Sequence, residues 1–248
     1  MTPQEESYMI LFLTSSPCVP NADRAILNEA NGFVDRLREA LPPQPKCLFI
    51  CSNPDTPELT DRFGQDLTEA FAEAGIPFRE FATLDRRNDG DAQALIWQSD
   101  LIILAGGHVP TQNAYFQEIG LAELLENYQG VLMGISAGTM NCAATVYMQP
   151  EEPGESDPDF VRFAPGLGFT DINVLPHYQQ VKDYTLDGLR LFEDITYADS
   201  VGNCFLALVD GSYLYNNGEG ELLFGEAYSL EDGLMEQISQ ENDITLLW

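Results

Sequence analysis

Short apolar runs alternate with longer amphipathic runs over the first 145 residues of the chain. Five apolar runs have the length and composition of buried strands: 8–16, 46–53, 77–85, 100–107 and 130–138. Three runs have apolar residues at helical spacing and predict helices: 22–42, 57–75 and 114–128. The order of these elements predicts an α/β fold with a doubly wound, mostly parallel sheet.

The pattern changes after residue 148. Segment 148–160 is rich in Pro, Gly and acidic residues and predicts a loop. Segment 204–230 contains short apolar runs separated by Asp-Gly and Asn-Gly pairs, which are typical of antiparallel hairpins. Because no linker composition marks a boundary, we expect one domain, 1–248, with a small C-terminal antiparallel extension.

A candidate nucleophile lies where the strand run 130–138 ends. Gly134-Ile135-Ser136-Ala137-Gly138 fits the G-x-S-x-G pattern, in which a serine projects from a sharp strand-to-helix turn between small neighbours. The amide of Ala137 would face the same pocket as the hydroxyl group and stabilise an oxyanion. Gly106 and Gly107 follow another buried strand and are candidates for the second oxyanion donor. A structural serine in a tight turn is the alternative interpretation.

A serine nucleophile needs a base, and the chain has only two histidines, His108 and His177. His177 follows an apolar run and Pro176, which predicts a position at a strand end, and it is our candidate base. His108 follows the glycine pair and is a candidate for substrate contact. His177 follows Ser136 by 41 residues, a shorter interval than α/β-hydrolase esterases typically have.

The base in turn needs an orienting carboxylate. Six acidic residues between the serine and the histidine are candidates: Glu151, Glu152, Glu155, Asp157, Asp159 and Asp171. Glu151 is favoured, with Glu155 and Glu152 as rivals.

The charge of the chain limits its partners. Forty acidic and 11 basic residues give a formal charge of −29. Nucleic acids and anionic membranes both attract Lys and Arg, so we expect neither as a partner. The N-terminal run has acidic residues where a signal peptide has positive charge, and no run approaches the ~20 apolar residues of a membrane span. A cytoplasmic location is expected.

Metal and cofactor chemistry have little support in the sequence. There is no H-E-x-x-H or C-x-x-C pattern, and no G-x-G-x-x-G segment opens the first predicted helix. We therefore expect no metal and no cofactor. Five cysteines are expected to be free thiols: Cys18, Cys47, Cys51, Cys142 and Cys204.

Three segments together resemble the aspartyl dipeptidase (peptidase E) family of serine peptidases, which includes the cyanophycinases. They are Ala105-Gly106-Gly107-His108, the Gly134–Gly138 elbow and Pro176-His177-Tyr178, in the family's order. The resemblance implies a flavodoxin-like fold, similar to class I glutamine amidotransferases. It also implies a metal-free Ser-His-acid mechanism acting on dipeptides with N-terminal aspartate or on β-aspartyl-arginine polymers. His108 stands where the family commonly has asparagine.

Recognition of an aspartyl side chain would need a basic group. Arg162, Lys182 and Arg190 lie downstream of the serine, and Arg162 is our candidate for substrate binding. The expected function is hydrolysis of short peptides or isopeptides through Ser136, His177 and Glu151. A ligand-binding protein without catalysis, or an esterase, is the alternative, and homodimerisation is left open.

Overall fold

The computed structural model describes residues 8–247. Five parallel strands form one part of an eight-stranded sheet: β1 (Ile10–Thr14), β2 (Lys46–Ile50), β3 (Glu80–Leu84), β4 (Leu101–Leu104) and β5 (Val131–Ile135). Their order across the sheet is β1-β5-β4-β2-β3, and every neighbouring pair is parallel. The carboxyl ends of β1, β4 and β5 therefore meet at one edge, where a ligand site is expected.

The helices of this part connect successive strands: α1 (Phe33–Ala40), α2 (Pro57–Glu73), α3 (Ala92–Trp97), α4 (Val109–Glu118), α5 (Leu121–Leu125) and α6 (Ala137–Met140). Alternate side chains of β4 belong to two different apolar clusters, with Ile102 and Leu104 in one and Leu101 and Ile103 in the other. Since side chains of a strand alternate between faces, both faces of this sheet are covered by apolar packing.

The rest of the described chain contains β6 (Thr145–Tyr147), β7 (Phe163–Pro165), β8 (Asn173–Leu175), α7 (Tyr178–Val181), β9 (Thr185–Leu186), β10 (Leu189–Arg190), α8 (Tyr197–Asp199), β11 (Cys204–Leu208), β12 (Tyr213–Asn216), β13 (Glu221–Phe224), β14 (Ala227–Glu231), β15 (Leu234–Ser239) and β16 (Ile244–Leu246). β12, β13 and β16 extend the large sheet beyond β1 and are antiparallel. β8, β11, β14 and β15 form a second, four-stranded sheet. β6 pairs with β7, and β9 with β10.

The predicted α/β class with a large, mostly parallel sheet is confirmed. The second sheet was not predicted, because its strands are short and the hairpin pattern does not say which sheet each strand joins. Among residues 8–247, no helix combines the length and the apolar composition that crossing a bilayer requires.

The predicted helix over 22–42 is wrong in its first half. The helix begins only at Phe33, after Asn31 and Gly32 adopt left-handed backbone with φ of 56° and 68°. Before it, Val19 N donates a hydrogen bond to Ile26 O, so the chain folds back on itself. The apolar residues that mimicked helical spacing here are part of a loop.

The predicted helix over 114–128 is two helices. It is interrupted at Gly120, whose φ of 63° lies in the left-handed region that glycine adopts without strain. The first helix also begins earlier than predicted, at Val109, directly after His108. This early start places the His108 backbone at the carboxyl edge of the sheet.

Candidate active site

Ser136 lies on a strained turn between β5 and α6. Its φ of 50° and ψ of −110° are unfavourable for a residue that has a Cβ atom. Hydrogen bonds on both sides fix this conformation: Ser136 N donates to Thr14 O at 3.2 Å, and Met140 N donates to Ser136 O at 3.0 Å. The neighbouring strand and the following helix thus impose the bend that presents the serine.

The two glycines of the motif are required by close packing. A Cβ atom at Gly134 would lie 2.7 Å from Thr139 Cα, and one at Gly138 would lie 2.4 Å from the main-chain oxygen of Leu104. Real Cβ atoms do not approach other atoms this closely, so a side chain at either position would displace the backbone. The G-x-S-x-G spacing therefore follows from the geometry of the turn.

Ser136 and His177 line the same two cavities. The main cavity has a volume of about 750 Å³ and is lined by residues of the strand ends, α2, the Gly106–Gly107 turn and segment 151–152. The side cavity has a volume of about 390 Å³ and lies towards Met140 and Leu191. Gly107 and Glu151 line both cavities. The structure thus brings the candidate nucleophile and the candidate base to a shared pocket.

His177 is held in place by Asp210. The His177 ring donates from Nδ1 to Asp210 Oδ1 at 2.7 Å, and the Asp210 side chain is only 2% exposed. His177 itself has left-handed backbone, with φ of 57°, at the start of α7. Because Nδ1 donates to a carboxylate, the Nε2 atom is left free to accept a proton.

Four side chains donate hydrogen bonds to Asp210. Ser15 Oγ and His177 Nδ1 both donate to Oδ1 at 2.7 Å, while Gln179 Nε2 and Gln180 Nε2 donate to Oδ2 at 2.6 and 2.5 Å. Burial acts to raise the pKa of Asp210, but the hydrogen bonds from His177, Ser15 and Gln179 and the charge of His177 outweigh it and lower that pKa below 3.8. Asp210 is therefore an ionised, buried partner for the histidine.

Ser15 forms a second connection between His177 and Asp210. Its hydroxyl group accepts a hydrogen bond from His177 N at 2.7 Å and donates to Asp210. Among the described residues, by contrast, no hydrogen bond joins Ser136 to the His177 ring. Catalytic hydrogen bonds are often long before a substrate binds, so this arrangement is compatible with proton transfer in a complex.

Glu151 does not occupy the position that the sequence suggested for it. The carboxylate on His177 Nδ1 is that of Asp210, and Glu151 instead lines both cavities as a partly exposed acid. Of its rivals, Glu155 accepts hydrogen bonds from His108 and from the main chain of segment 151–152, and Glu152 lines the main cavity. The acids predicted from the sequence all lie between the serine and the histidine, whereas Asp210 follows the histidine.

His108 connects the glycine turn to segment 151–155. His108 Nε2 donates to Glu155 Oε1 at 2.7 Å, and Nδ1 accepts from Thr111 Oγ1 at 2.7 Å. Glu155 Oε2 accepts the amides of Glu151 and Glu152 at 2.9 and 3.0 Å. Burial acts to raise the pKa of Glu155, but these amides and the His108 ring outweigh it and lower that pKa. His108 lines the main cavity and also anchors the loop beside it.

The predicted oxyanion donors lie around Ser136. Gly106 is so close that a Cβ atom there would lie 3.5 Å from Ser136 Cβ. Both Gly106 and Gly107 line the main cavity, whereas Ala137 is fully buried behind it. Within residues 8–247, the amides of Gly107 and Ala137 donate no hydrogen bond.

Arg162 does not reach the pocket. Its guanidinium group pairs with Asp199 at 3.2 Å and donates to the main-chain oxygens of Glu155 and Ser156 at 2.5 and 3.4 Å. It lines neither the main nor the side cavity. Arg162 therefore contacts the main chain of segment 155–156 outside the cavities, and its expected role in substrate binding finds no support.

One group of described side chains could offer three ligand atoms to a metal ion. His108, Glu152 and Glu155 have ligand atoms within 4.8 Å of one another. Two of these atoms already form the hydrogen bond between His108 and Glu155. The five cysteines are unpaired across the described chain, and three of them are buried.

Asp210 is the residue that sequence reasoning missed. Its Asp-Gly pair follows the apolar run of β11 and was interpreted as a hairpin turn. β12 lies antiparallel to β1, with Tyr213 opposite Thr14, and this pairing brings the turn to Ser15. An acid directly after a buried strand was the available signal, because such an acid lies at the edge where parallel strands end.

Known proteins resemble this chain in family profile and in fold. The profile of peptidase family S51 matches residues 11–222. A peptidase from an acI-B1 Actinobacterium has a similar structure, with 17% identity, a TM-score of 0.61 and 97% of each chain covered. A protein from Listeria monocytogenes EGD-e assigned as peptidase E has 17% identity and a TM-score of 0.58, over 93% of this chain and 99% of that one.

A search of curated proteins finds no significant match. The two structural relatives are too distant in sequence to indicate more than a common fold. The family profile, however, covers most of the chain, including the elbow, the glycine turn and His177. The chain is therefore a serine-type peptidase and belongs to peptidase family S51.

Proposed function

We propose that this peptidase hydrolyses short peptides or isopeptides through an acyl-enzyme formed on Ser136. The observation that carries the proposal is the shared cavity: a strained elbow serine and a histidine with a buried carboxylate partner line one pocket of about 750 Å³. Each feature alone has a structural explanation. Their convergence at the carboxyl edge of a parallel sheet matches the arrangement required for nucleophilic catalysis.

In this mechanism Ser136 Oγ attacks the carbonyl carbon of the scissile amide, and His177 Nε2 takes the hydroxyl proton. The charge that develops on the carbonyl oxygen is stabilised by the amides of Ala137 and Gly107 or Gly106. His177 then gives its proton to the leaving nitrogen, and the acyl-enzyme remains. A water molecule, deprotonated by His177, hydrolyses the ester and restores Ser136.

Asp210 replaces Glu151 as the orienting acid in our proposal. Its hydrogen bond to Nδ1 selects the tautomer with a free Nε2, and its negative charge stabilises the imidazolium ion that forms during the reaction. The Ser15 hydroxyl group and two glutamines hold the carboxylate in position. In this mechanism the nucleophile, the base and the orienting acid are all side chains of the protein, so no step uses a metal or a cofactor.

Labelling with a fluorophosphonate probe tests the nucleophile. The wild-type protein should gain one probe mass, located by peptide mapping to Ser136, and Ser136→Ala should gain none and hydrolyse no dipeptide of a library. Ser99→Ala is the matched control, because Ser99 is a hydrogen-bonded serine outside both cavities. Absence of labelling in the wild type would favour a ligand-binding protein, and turnover of esters without any dipeptide would favour an esterase.

We also infer the finer description of the fold. Apolar packing on both faces of the parallel strands supports a flavodoxin-like double winding, as in class I glutamine amidotransferases. The single-domain organisation, the cytoplasmic location and a homodimer stay predictions.

A further inference from the structure

The main cavity is lined by three acids and by two histidines, and among residues 8–247 by no Lys or Arg. Asp66, Glu151 and Glu152 line it, whereas no Lys or Arg of residues 8–247 lines either the main or the side cavity. The chain's formal charge of −29 adds to the negative potential at this site. A substrate carboxylate would therefore meet like charge here, and a cation would meet opposite charge.

The basic residues that follow the serine in sequence do not line either cavity. Arg162 pairs with Asp199 outside the cavities, and Arg190 pairs with Asp194 at 2.5 Å. Lys182 lines neither cavity. Among residues 8–247, no Lys or Arg that could recognise an N-terminal aspartate lines this pocket.

The wall formed by α2 is apolar. Leu59, Phe63 and Leu67 line the main cavity from this helix, together with Phe49 of β2. Leu59 and Phe63 are 38% and 43% exposed, so the cavity presents accessible apolar surface. An apolar wall beside carboxylates suits a side chain with a long aliphatic stem and a charged end, because the stem packs while the charge finds a partner.

We propose that the main cavity binds a basic side chain of the peptide substrate, with its stem on Leu59 and Phe63 and its cation near the cavity's carboxylates. The inference rests on the proposed function, because it takes the cavity beside Ser136 as the substrate site. It reverses the charge preference of N-terminal aspartyl dipeptides, one of the two substrate classes that the family resemblance implies; the other class, β-aspartyl-arginine polymers, carries basic side chains. Both lysine and arginine have the required stem and charge.

The pKa of Glu151 and the position of its backbone both fit a carboxylate that binds a cation. Burial raises the pKa of Glu151, the His108 ring opposes that effect, and the carboxylates of Glu155 and Glu152 add to it. The amide of Glu151 is fixed by Glu155, so the carboxylate is carried on an anchored segment. A bound cation would offset the repulsion among these neighbouring acids.

Matched dipeptides test the charge preference. Lys-Ala and Ala-Lys place the cation on either side of the scissile bond, norleucine replaces lysine as a neutral analogue, and Asp-Ala carries the opposite charge. We expect kcat/KM for the better lysine peptide to exceed that of its norleucine analogue about tenfold, through KM, with Asp-Ala the poorest. The advantage should shrink as ionic strength rises. Equal turnover of the lysine and norleucine peptides, or preference for Asp-Ala, would overturn the inference.

Variants locate the acceptor. The double variant Asp66→Asn and Glu151→Gln should lower the ratio of kcat/KM for the lysine peptide to that for its norleucine analogue from about tenfold to near one. Glu58→Gln is the matched control, because Glu58 lies on α2 but does not line the cavity. A lysine advantage that survives in the double variant would contradict the assignment.

Failure of the proposed function gives a different result. If no dipeptide is hydrolysed, calorimetry of Ser136→Ala with lysinamide and norleucinamide measures the subsite directly. Tighter binding of lysinamide supports the basic-side-chain subsite whatever the chemistry at Ser136. Equal binding, or no binding of either, refutes the subsite even if the probe labels Ser136.

Discussion

Replacement of Asp210 by asparagine tests the His177 assignment most directly. All four groups around the Asp210 carboxylate donate hydrogen bonds to it, two to each oxygen. Asparagine has one oxygen and one NH2 group. Two of the four donors would therefore face the NH2 group, which is itself a donor and cannot accept their hydrogen bonds. If the amide turns its NH2 group to His177, Nδ1 must accept, and the proton moves to Nε2, where it blocks the base.

The expected loss can be scaled from this tautomer argument. Asn in place of the triad Asp lowers kcat about 10⁴-fold in the well-studied serine peptidase triad, which corresponds to about 5 kcal/mol of transition-state stabilisation. The hydrogen bonds to the buried charge are each worth about 1.5–3 kcal/mol. Loss of two of them should lower the free energy of unfolding of Asp210→Asn by an amount on the order of 3 kcal/mol at neutral pH.

The assay needs no known substrate. The second-order rate of fluorophosphonate labelling of Ser136, followed by intact mass, reports how well His177 activates the hydroxyl group. Asp100→Asn makes the same chemical change at a carboxylate that accepts Lys46 N, outside both cavities, and should label at the wild-type rate. Labelling of Asp210→Asn within tenfold of wild type, in a folded protein, would show that Asp210 does not orient the base.

Three further outcomes follow from the same contacts. Gly138→Ala should lower the free energy of unfolding by roughly 1–3 kcal/mol in urea titration, because its Cβ atom would lie 2.4 Å from a main-chain oxygen, whereas Gly90→Ala meets nothing within 4 Å and should change it little. The Asp210 pKa is lowered below 3.8 on folding, so its stabilisation is complete above that pH and is lost as the pH falls through the folded value; the stability gap to Asp210→Asn should close below pH 3.8. His108→Ala should speed hydrogen exchange at the two amides that Glu155 accepts, and unchanged exchange would argue against the anchor.

The residues that backbone geometry dictates were predictable from the sequence. The elbow has glycine at two positions where a Cβ atom cannot fit, and the strand before it is apolar because both faces of the sheet are covered. Ser136 and His177 follow from these local patterns and from the small number of histidines. The structure does place the two residues at one cavity.

The acid partner was not predictable in the same way. Its position depends on pairings between strands far apart in sequence. β12 lies beside β1 and brings Asp210 to Ser15, and β11 lies parallel to β8, after which His177 follows. A further difficulty is that the chain has 40 acidic residues, so residue type alone does not distinguish the one that contacts the histidine. Burial distinguishes Asp210, which is 2% exposed as a side chain, and burial is a property of the folded chain.

The same excess of acid explains why Arg162 was a misleading candidate. With 40 acidic residues for 11 basic ones, a cationic side chain of the folded chain readily finds a carboxylate, and Arg162 finds Asp199. The converse holds for the acids, most of which can have no cationic partner within the chain. Those that line a cavity, such as Glu151 and Asp66, add negative charge to it. The charge imbalance that led us to expect no nucleic-acid partner is thus the same property that, in our proposal, favours a cationic substrate at the Ser136 cavity.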